Sequence, residues 1–231
     1  MALLGHASRI IVASAQPEAS RGVWEAIGFV DNGSSDSVVR LTDGQILISL
    51  LPQEASPLAL AYFAPSLQSV GDKLLASGFE ISGSNATGWH VPGPGMMEWW
   101  IHPATPSTLA QRSGESSPIL GYFDAIVIPV SDVHDAAAWA QLCGYFIADQ
   151  WENPLPQVDL TDGIVNISFR KQDAGVPFLH FTADLDDEWL AEATEAVGER
   201  LTVHRDGNGN TSLAIFSMPD ACTIMVTPDE Y

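Results

Sequence analysis

The amino-acid sequence predicts an α+β protein built from two tandem modules of the βαβββ type. The first observation is an internal repeat, because residues 40–50 (Arg-Leu-Thr-Asp-Gly-Gln-Ile-Leu-Ile-Ser-Leu) match residues 159–169 (Asp-Leu-Thr-Asp-Gly-Ile-Val-Asn-Ile-Ser-Phe). The second is that strand, helix and turn signals follow in the same order around each copy. A stretch rich in Pro, Ser and Thr, residues 103–118, is typical of a linker. The predicted organisation is a first module over residues 1–103, a linker over 104–120 and a second module over 121–231.

The first half of each copy combines a strand, a helix and a β-hairpin. Apolar residues 9–13 and 125–130 predict strands, and the helices that follow them carry Trp24 and Trp139. In both copies an Asp-Gly pair stands between β-rich runs, which is a strong signal for a two-residue hairpin turn. Each repeat is therefore predicted to contain a hairpin.

The second half of each copy adds a strand, an amphipathic helix and further short strands. The strands are predicted over residues 58–63 and 178–183, and the helices over residues 66–77 and 186–197. Carboxylates at the start of the later helix are suited to cap its free N–H groups. The closing strands are predicted over residues 88–91, 96–101, 201–204, 211–216 and 223–226. Each half of the chain thus follows the order β-α-β-β-β twice.

The charge balance restricts the classes of partner. The 231 residues include 29 acidic and 9 basic side chains, for a formal net charge of −20. Such a surface repels phosphate backbones and anionic lipids, so neither nucleic acid nor a membrane is expected as a partner. No apolar run of about 18 residues or more is present, which predicts a soluble protein. Because the amino terminus lacks the features of a secretory signal, a cytoplasmic location with reduced cysteines is expected.

The opening of the second module carries a resemblance to a known family. Residues 123–132 read Phe-Asp-Ala-Ile-Val-Ile-Pro-Val-Ser-Asp, and the helix after them ends in Leu-Cys-Gly-Tyr at residues 142–145. This pattern resembles the vicinal oxygen chelate superfamily of glyoxalases, extradiol dioxygenases and bleomycin-resistance proteins, whose usual run is Phe-Asp-His, Pro-Val-x-Asp, a helix and Leu-Gly-Phe. The resemblance implies βαβββ units that curve into a half-open barrel around a pocket. It also implies a divalent metal held by His, His or Gln, and Glu.

The expected metal ligands are where the sequence departs from that family. Ala125 stands at the first His of the second module and Arg9 at the corresponding position of the first. Neither side chain ligates a metal. His180 is suited to the second ligand, while Met225 replaces the final Glu and Glu98 lies near that position in the first module. A site with three protein ligands is therefore not predicted and no cofactor is expected, although a divergent divalent-metal site using Glu98 and His180 stays open.

The candidate ligand-binding residues come from strand alternation. Residues 96–102 put Glu98, Trp100 and His102 on one face of a strand, and residues 177–182 put Phe178 and His180 on one face of another. For each of them a structural role in the core or at the surface remains an alternative, and Arg9 can equally cap a strand end. The full set is Arg9, Tyr62, Glu98, Trp100, His102, Phe178 and His180.

The resemblance and the missing ligands favour a metal-free protein that binds a small organic molecule, with aromatic molecules as candidates, in a pocket between modules, as bleomycin-resistance proteins do by sequestration. One alternative is a divalent-metal-dependent dioxygenase or glyoxalase-type lyase, so whether the chain is an enzyme stays open and no catalytic residue is assigned. A second alternative is a protein-interaction scaffold. A monomer or weak homodimer is expected. The sequence contains no phosphate loop, dinucleotide fingerprint or Gly-x-Ser-x-Gly nucleophile elbow, so nucleotide binding and serine-hydrolase chemistry are not predicted.

Overall fold

The computed structural model of the protein describes residues 3–35, 38–52, 57–105, 119–220 and 222–229. Its elements follow the predicted order in both halves of the sequence. The elements of the first half are β1 (Ala7–Ala13), α1 (Pro17–Ala26), β2 (Val30–Asp31), β3 (Val39–Thr42), β4 (Leu47–Leu51), β5 (Leu58–Ala64), α2 (Leu67–Ala76), β6 (Ser82–Ser84), β7 (Gly88–Pro92) and β8 (Glu98–Pro103). Those of the second half are β9 (Tyr122–Val130), α3 (Val133–Leu142), β10 (Phe146–Trp151), β11 (Gln157–Thr161), β12 (Asn166–Lys171), β13 (Phe178–Ala183), α4 (Asp187–Val197), β14 (Leu201–Arg205), β15 (Thr211–Ser217) and β16 (Thr223–Pro228). A short 3-10 helix, Gly198–Arg200, joins α4 to β14.

The strands form two eight-stranded mixed sheets that have the same topology. One sheet has the order β2-β3-β4-β1-β5-β8-β7-β6, and the other has the order β10-β11-β12-β9-β13-β16-β15-β14. Each strand of the second sheet takes the place of the strand numbered eight lower in the first sheet. The α+β class and the duplication of the βαβββ pattern are therefore confirmed, with two consecutive βαβββ units in each half.

The Asp-Gly hairpins are present, but their turns are longer than predicted. Thr42 pairs with Leu47, and Thr161 pairs with Asn166, so each turn contains four residues rather than two. The prediction counted only the Asp-Gly pair. In the second turn Oδ1 of Asp162 accepts hydrogen bonds from two backbone N–H groups that follow it. This side-chain bonding stabilises the longer turn, while the glycine after each Asp takes a positive φ.

Contacts divide the described residues into two compact units. Unit 1 comprises described residues of Met1–Ile10, Leu58–Gln111 and Ile126–Pro177, and unit 2 comprises those of Ile11–Pro57, Arg112–Ala125 and Phe178–Tyr231. Each unit therefore draws strands from both halves of the sequence repeat. The division into residues 1–103, 104–120 and 121–231 describes the repeat along the chain and stays a prediction. Most of its linker, residues 106–118, lies outside the described residues.

Aromatic packing and a buried hydrogen-bond cluster hold unit 1 together. The ring centroids of Trp99 and Trp139 lie 4.7 Å apart, and the two residues come from different halves of the chain. The Tyr62 hydroxyl lies 2.5 Å from the Tyr145 hydroxyl and donates to Oδ2 of Asp162 at 2.6 Å. Since buried polar groups are costly unless they are hydrogen-bonded, this cluster favours the observed packing of the two sequence halves in the core of unit 1.

Unit 2 has a corresponding buried cluster built around Asp220. Oδ2 of Asp220 accepts a 3.2 Å hydrogen bond from Nε1 of Trp24, and its other oxygen accepts one from the Ser20 hydroxyl. All three side chains are buried. The α1 helix is therefore attached to the loop before β16 by charge-assisted hydrogen bonds as well as by apolar contact.

The α4 helix begins as the sequence predicted. The side chain of Asp186 accepts a hydrogen bond from the backbone N–H of Trp189, which satisfies a free donor of the first turn. Among the helices of the described residues, none combines the length and apolar character needed to cross a membrane.

Candidate functional site

Strand β8 presents a half-exposed polar and aromatic face in unit 1. Glu98, Trp100 and His102 are partly exposed, whereas Trp99 and Ile101 between them are fully buried. The alternation of the strand therefore separates a core face from an open face. Three of the residues that the sequence singled out lie together on the open face.

A row of four rings extends across this open face. The ring centroids of His90 and Trp100 are 4.5 Å apart, and those of Trp100 and His102 are 6.4 Å apart with nearly parallel planes. The row continues from His102 to Phe63, whose centroids are 6.0 Å apart. We call His90, Trp100, His102 and Phe63 the ring row. Its members come from three adjacent strands, β7, β8 and β5, so the sheet itself sets their spacing.

The two ends of the ring row carry opposite charges. Nε1 of Trp100 donates a 3.2 Å hydrogen bond to Oε2 of Glu98. At the other end the guanidinium of Arg9, a buried residue, lies 5.8 Å from the centroid of the Phe63 ring. Glu98 and His102 are four residues apart on one strand, a separation of roughly 13 Å. A carboxylate therefore lies beside Trp100 and a buried guanidinium lies beside Phe63, with His102 between these two rings.

Burial keeps the imidazole of His102 neutral near physiological pH. Removal from water disfavours the charged form, and this lowers the pKa of His102 from its ordinary value. A neutral imidazole stacks on other rings without the desolvation cost of a cation. The middle of the ring row is therefore uncharged.

Tyr62 does not belong to this face. It pairs with Ile101 in the strand register and is fully buried on the core side of the sheet. Burial raises the pKa of Tyr62 well above its ordinary value. The structure thus places the residue in the hydrogen-bond cluster of the core, and the ligand-binding role expected for it is not supported by its position.

His180 lies in unit 2 at the centre of a linear hydrogen-bond array. Its Nδ1 is 2.7 Å from Oδ2 of Asp124, and its Nε2 is 3.0 Å from Oγ1 of Thr227. We call Asp124, His180 and Thr227 the His180 array. The His180 side chain is 15% exposed, and Asp124 is 50% exposed. The array borders an open cleft of about 570 Å³.

The partners of His180 determine its tautomer. An ionised carboxylate only accepts hydrogen bonds, so the neutral imidazole donates Nδ1–H to Asp124. Nε2 then carries the lone pair and accepts the hydroxyl proton of Thr227. The carboxylate both orients the ring and stabilises the imidazolium formed when Nε2 takes up a proton. The array is therefore arranged for proton transfer between the imidazole and a hydroxyl group.

Phe178 shares the strand with His180 but is buried at its start, whereas His180 and Thr182 are partly exposed. It contributes to packing in unit 2. Of the seven residues singled out by the sequence, Glu98, Trp100 and His102 lie on the open face in unit 1, and His180 lies in the cleft of unit 2. Arg9 is buried next to Phe63 in unit 1.

The sequence analysis missed Asp124, Thr227 and Phe63 as site residues. Asp124 directly precedes the position expected for the first metal ligand, and Thr227 is two residues beyond Met225, which lies opposite His180 in the strand register. An alignment by strand pairing would have found both. Phe63 lies in a strand that the sequence predicts as apolar, and only its pairing with His102 reveals its place in the ring row.

The donor set around His180 does not fit the metal that the resemblance implies. His180 has one carboxylate neighbour, and its second ring nitrogen is bonded to a hydroxyl. Catalytic zinc and iron sites normally use three strong protein ligands. In the described part of the chain, no group of three or more His, Cys, Asp and Glu side chains is arranged to hold a metal ion.

Comparison with known proteins identifies a class of fold. No protein-family model matches the sequence, and no curated protein matches it. Solved structures that share its fold include homoprotocatechuate 2,3-dioxygenases and a catechol 2,3-dioxygenase, and they match over nearly the whole chain.

Three of these structures illustrate the likeness. A variant of homoprotocatechuate 2,3-dioxygenase from Brevibacterium fuscum has a TM-score of 0.65 and 12% identity, covering 100% of this chain and 72% of that one. Homoprotocatechuate 2,3-dioxygenase from Arthrobacter globiformis has a TM-score of 0.64 and 13% identity, covering 100% and 80%. A catechol 2,3-dioxygenase has a TM-score of 0.59 and 15% identity, covering 98% and 92%. At such low identity the likeness shows the fold alone.

Proposed function

We propose that this protein is a vicinal-oxygen-chelate-type binding protein that holds a flat organic molecule on the ring row of unit 1. The observation that carries the proposal is the ring row on one sheet face, in which His90, Trp100 and His102 are partly exposed and Phe63 is buried at one end. Aromatic pairs prefer offset or edge contacts at centroid distances of about 4.5–7 Å, and such a platform suits a planar ring. Ligand pockets are commonly lined by aromatic side chains with a few polar groups that fix orientation.

The charges at the ends of the row define the polarity of the ligand. Arg9 attracts a carboxylate or another anionic group near Phe63, because a guanidinium forms charge-assisted hydrogen bonds with planar anions. Glu98 accepts hydrogen bonds from a hydroxyl or amine at the opposite end. We therefore expect an elongated aromatic acid that carries a hydrogen-bond donor away from the acid group. In this proposal the protein works as a monomer or weak homodimer.

A binding experiment with 2-naphthoate tests the proposal. Titration should quench tryptophan fluorescence and raise the melting temperature, since a ligand that binds only the folded state stabilises it. Cyclohexanecarboxylate, which has the same charge but no planar ring, should bind much more weakly. Trp100→Leu should weaken 2-naphthoate binding about tenfold, the upper range for one lost ring contact. Trp151→Leu is the matched control, because Trp151 is exposed on the edge strand β10. Equal loss in both variants, or no binding by the unmodified protein, would refute the proposal.

A divalent-metal-dependent dioxygenase or glyoxalase-type lyase is the second candidate. The shared fold with 2,3-dioxygenases favours it, whereas the donor set of the His180 array does not. Elemental analysis of protein purified without chelator distinguishes the two. Near-stoichiometric metal that is lost in His180→Ala would support the metal enzyme, and protein without metal or metal-induced stabilisation would support the binding protein.

A further inference from the structure

We propose that Asp124, His180 and Thr227 form a metal-independent acyl-transfer site that cleaves small neutral or cationic esters. Thr227 supplies the nucleophilic hydroxyl, His180 moves the proton, and Asp124 orients the imidazole. The proposal concerns the cleft of unit 2 and does not depend on ligand binding at the ring row.

The connectivity of the array is that of a hydroxyl–imidazole–carboxylate triad. Nδ1 of His180 faces Asp124 and Nε2 faces Thr227, at 2.7 Å and 3.0 Å. Both distances lie within the range of about 2.6–3.2 Å required between a nucleophile, its base and the group that orients the base. Such triads are recognised by geometry and roles rather than by sequence position. The absence of a Gly-x-Ser-x-Gly motif therefore does not bear on this site.

Two paired strands hold the hydroxyl of Thr227 and the imidazole of His180 in place. Thr227 lies on β16 and His180 on β13, and these two strands pair in parallel. The core-facing neighbours Phe181 and Val226 are fully buried, which anchors both strands from the opposite side. Sites that are built on strands are more precise than sites on loops, so the hydroxyl and the imidazole stay within hydrogen-bonding distance.

The same strand pairing supplies a hydrogen-bond donor for the negative charge that develops on the carbonyl oxygen of the ester. Thr182 stands directly opposite Thr227 in the strand register, and both line the cleft. Neighbouring strands of a sheet lie about 5 Å apart, so these two side chains are close to each other. The Thr182 hydroxyl can therefore donate to an oxyanion formed at a carbonyl that Thr227 attacks.

The reaction has two steps, acylation of Thr227 and hydrolysis of the acyl group. Oγ1 of Thr227 forms a bond to the carbonyl carbon of the ester while its proton passes to Nε2 of His180. The carbon–oxygen bond to the alcohol then breaks, and the leaving alcohol takes that proton. In the second step His180 removes a proton from water, the resulting hydroxide attacks the acyl group, and the carboxylic acid leaves as Thr227 regains its proton.

The charge of the cleft sets the substrate class. Its described lining includes the carboxylates of Asp124 and Asp229 and no Lys or Arg, so an anionic ester would be repelled. The lining hydroxyls of Ser212 and Thr182 favour polar groups on the substrate. Short neutral or cationic esters are therefore the expected substrates.

Hydrolysis of p-nitrophenyl acetate by the full chain tests the site. The unmodified protein should release p-nitrophenol above the background rate, and a fluorophosphonate probe should add a single mass that maps to Thr227. Thr227→Val should lose at least 90% of the activity and the label, whereas Thr227→Ser should keep both. His180→Asn and Asp124→Asn should also lose activity. Melting curves of each variant establish that the fold is intact.

Thr223→Val is the matched control, since Thr223 lies on the same strand outside the cleft. It should hydrolyse the ester at the unmodified rate. The proposal would be overturned by full activity in Thr227→Val, by a label on another residue, or by the absence of both hydrolysis and labelling in the folded protein. Activity that needs His180 but not Thr227 would also overturn it, because the hydroxyl would then not be the nucleophile.

Discussion

Tyr62 donates a 2.6 Å hydrogen bond to Oδ2 of Asp162, a residue 100 positions further along the chain. The contact links a strand of the first sequence repeat to a turn of the second within unit 1. The same carboxylate accepts bonds from backbone N–H groups of its own turn through Oδ1. One buried side chain therefore fixes both the hairpin turn and the packing of the two repeats.

Removing this contact should destabilise the protein. Tyr62→Phe keeps the ring, but in this buried position Asp162 loses a donor and the Tyr145 hydroxyl loses the oxygen that accepts its hydrogen bond. Loss of a hydrogen bond to a charged group costs about 1.5–3 kcal/mol in the free energy of unfolding, and we expect a loss in that range from urea denaturation. Tyr122→Phe is the control, because Tyr122 is 63% exposed. An unchanged midpoint for Tyr62→Phe would contradict the role assigned to the cluster.

The Asp220 cluster should be equally important in unit 2. Asp220→Ala removes the acceptor for Trp24 Nε1 and the Ser20 hydroxyl, so both buried donors lose their partner. The free energy of unfolding should fall by about 1.5–3 kcal/mol. Asp173→Ala, an exposed aspartate, should change it by less than about 0.5 kcal/mol. If the two variants unfold at the same urea concentration, the cluster does not stabilise α1.

Protonation of His102 should make stability depend on pH below neutrality. Burial lowers its folded pKa below the ordinary value of 6.5, so the unfolded chain binds the proton more readily. The contribution of this residue to stability is complete above pH 6.5 and is lost as the pH falls through the lowered folded pKa. His102→Gln should therefore show a smaller decrease in stability between pH 7.5 and 5 than the unmodified protein. A steeper decrease in the variant would give the opposite sign and contradict the prediction.

The two cysteines should be unreactive in the folded protein. Cys143 and Cys222 are free and buried, and burial raises the pKa of both thiols well above the ordinary value. Because the thiolate is the reactive form, a disulfide reagent such as dithionitrobenzoate should modify neither residue within minutes. Both should react at once in denaturant. Rapid modification of the native protein would show that one of the thiols is accessible.

The fold could be predicted from the sequence because its signals are local. The repeated Thr-Asp-Gly segments, the strand periodicity and the glycines after the helices are all visible in windows of about ten residues. The capping role of Asp186 followed from the same kind of signal. The length of the second hairpin turn did not, since it depends on hydrogen bonds that backbone N–H groups beyond the Asp-Gly pair donate to Asp162.

The site could be predicted only in part because its members are distant in the chain. Alternation correctly grouped Glu98, Trp100 and His102, but it could not show that Phe63 extends the row from a neighbouring strand. It also could not separate Tyr62, a buried core residue, from the residues of the open face. Which strands lie next to each other, and which sheet face is buried, decides whether a residue belongs to the site. The alternation pattern within one strand does not contain that information.

Each compact unit contains strands from both halves of the chain, which matters for any attempt to express the two halves separately. Unit 1 contains β5–β8, β10–β12 and the part of β9 from Ile126 onward, and unit 2 contains β2–β4 and β13–β16. A break between residues 104 and 120 falls in the predicted linker between the two repeats. It nevertheless leaves each fragment with part of unit 1 and part of unit 2. Neither fragment can bury its apolar surface alone, whereas the two together restore every contact. We therefore expect the separated halves to behave as a split protein, insoluble when produced singly and recovered by co-expression.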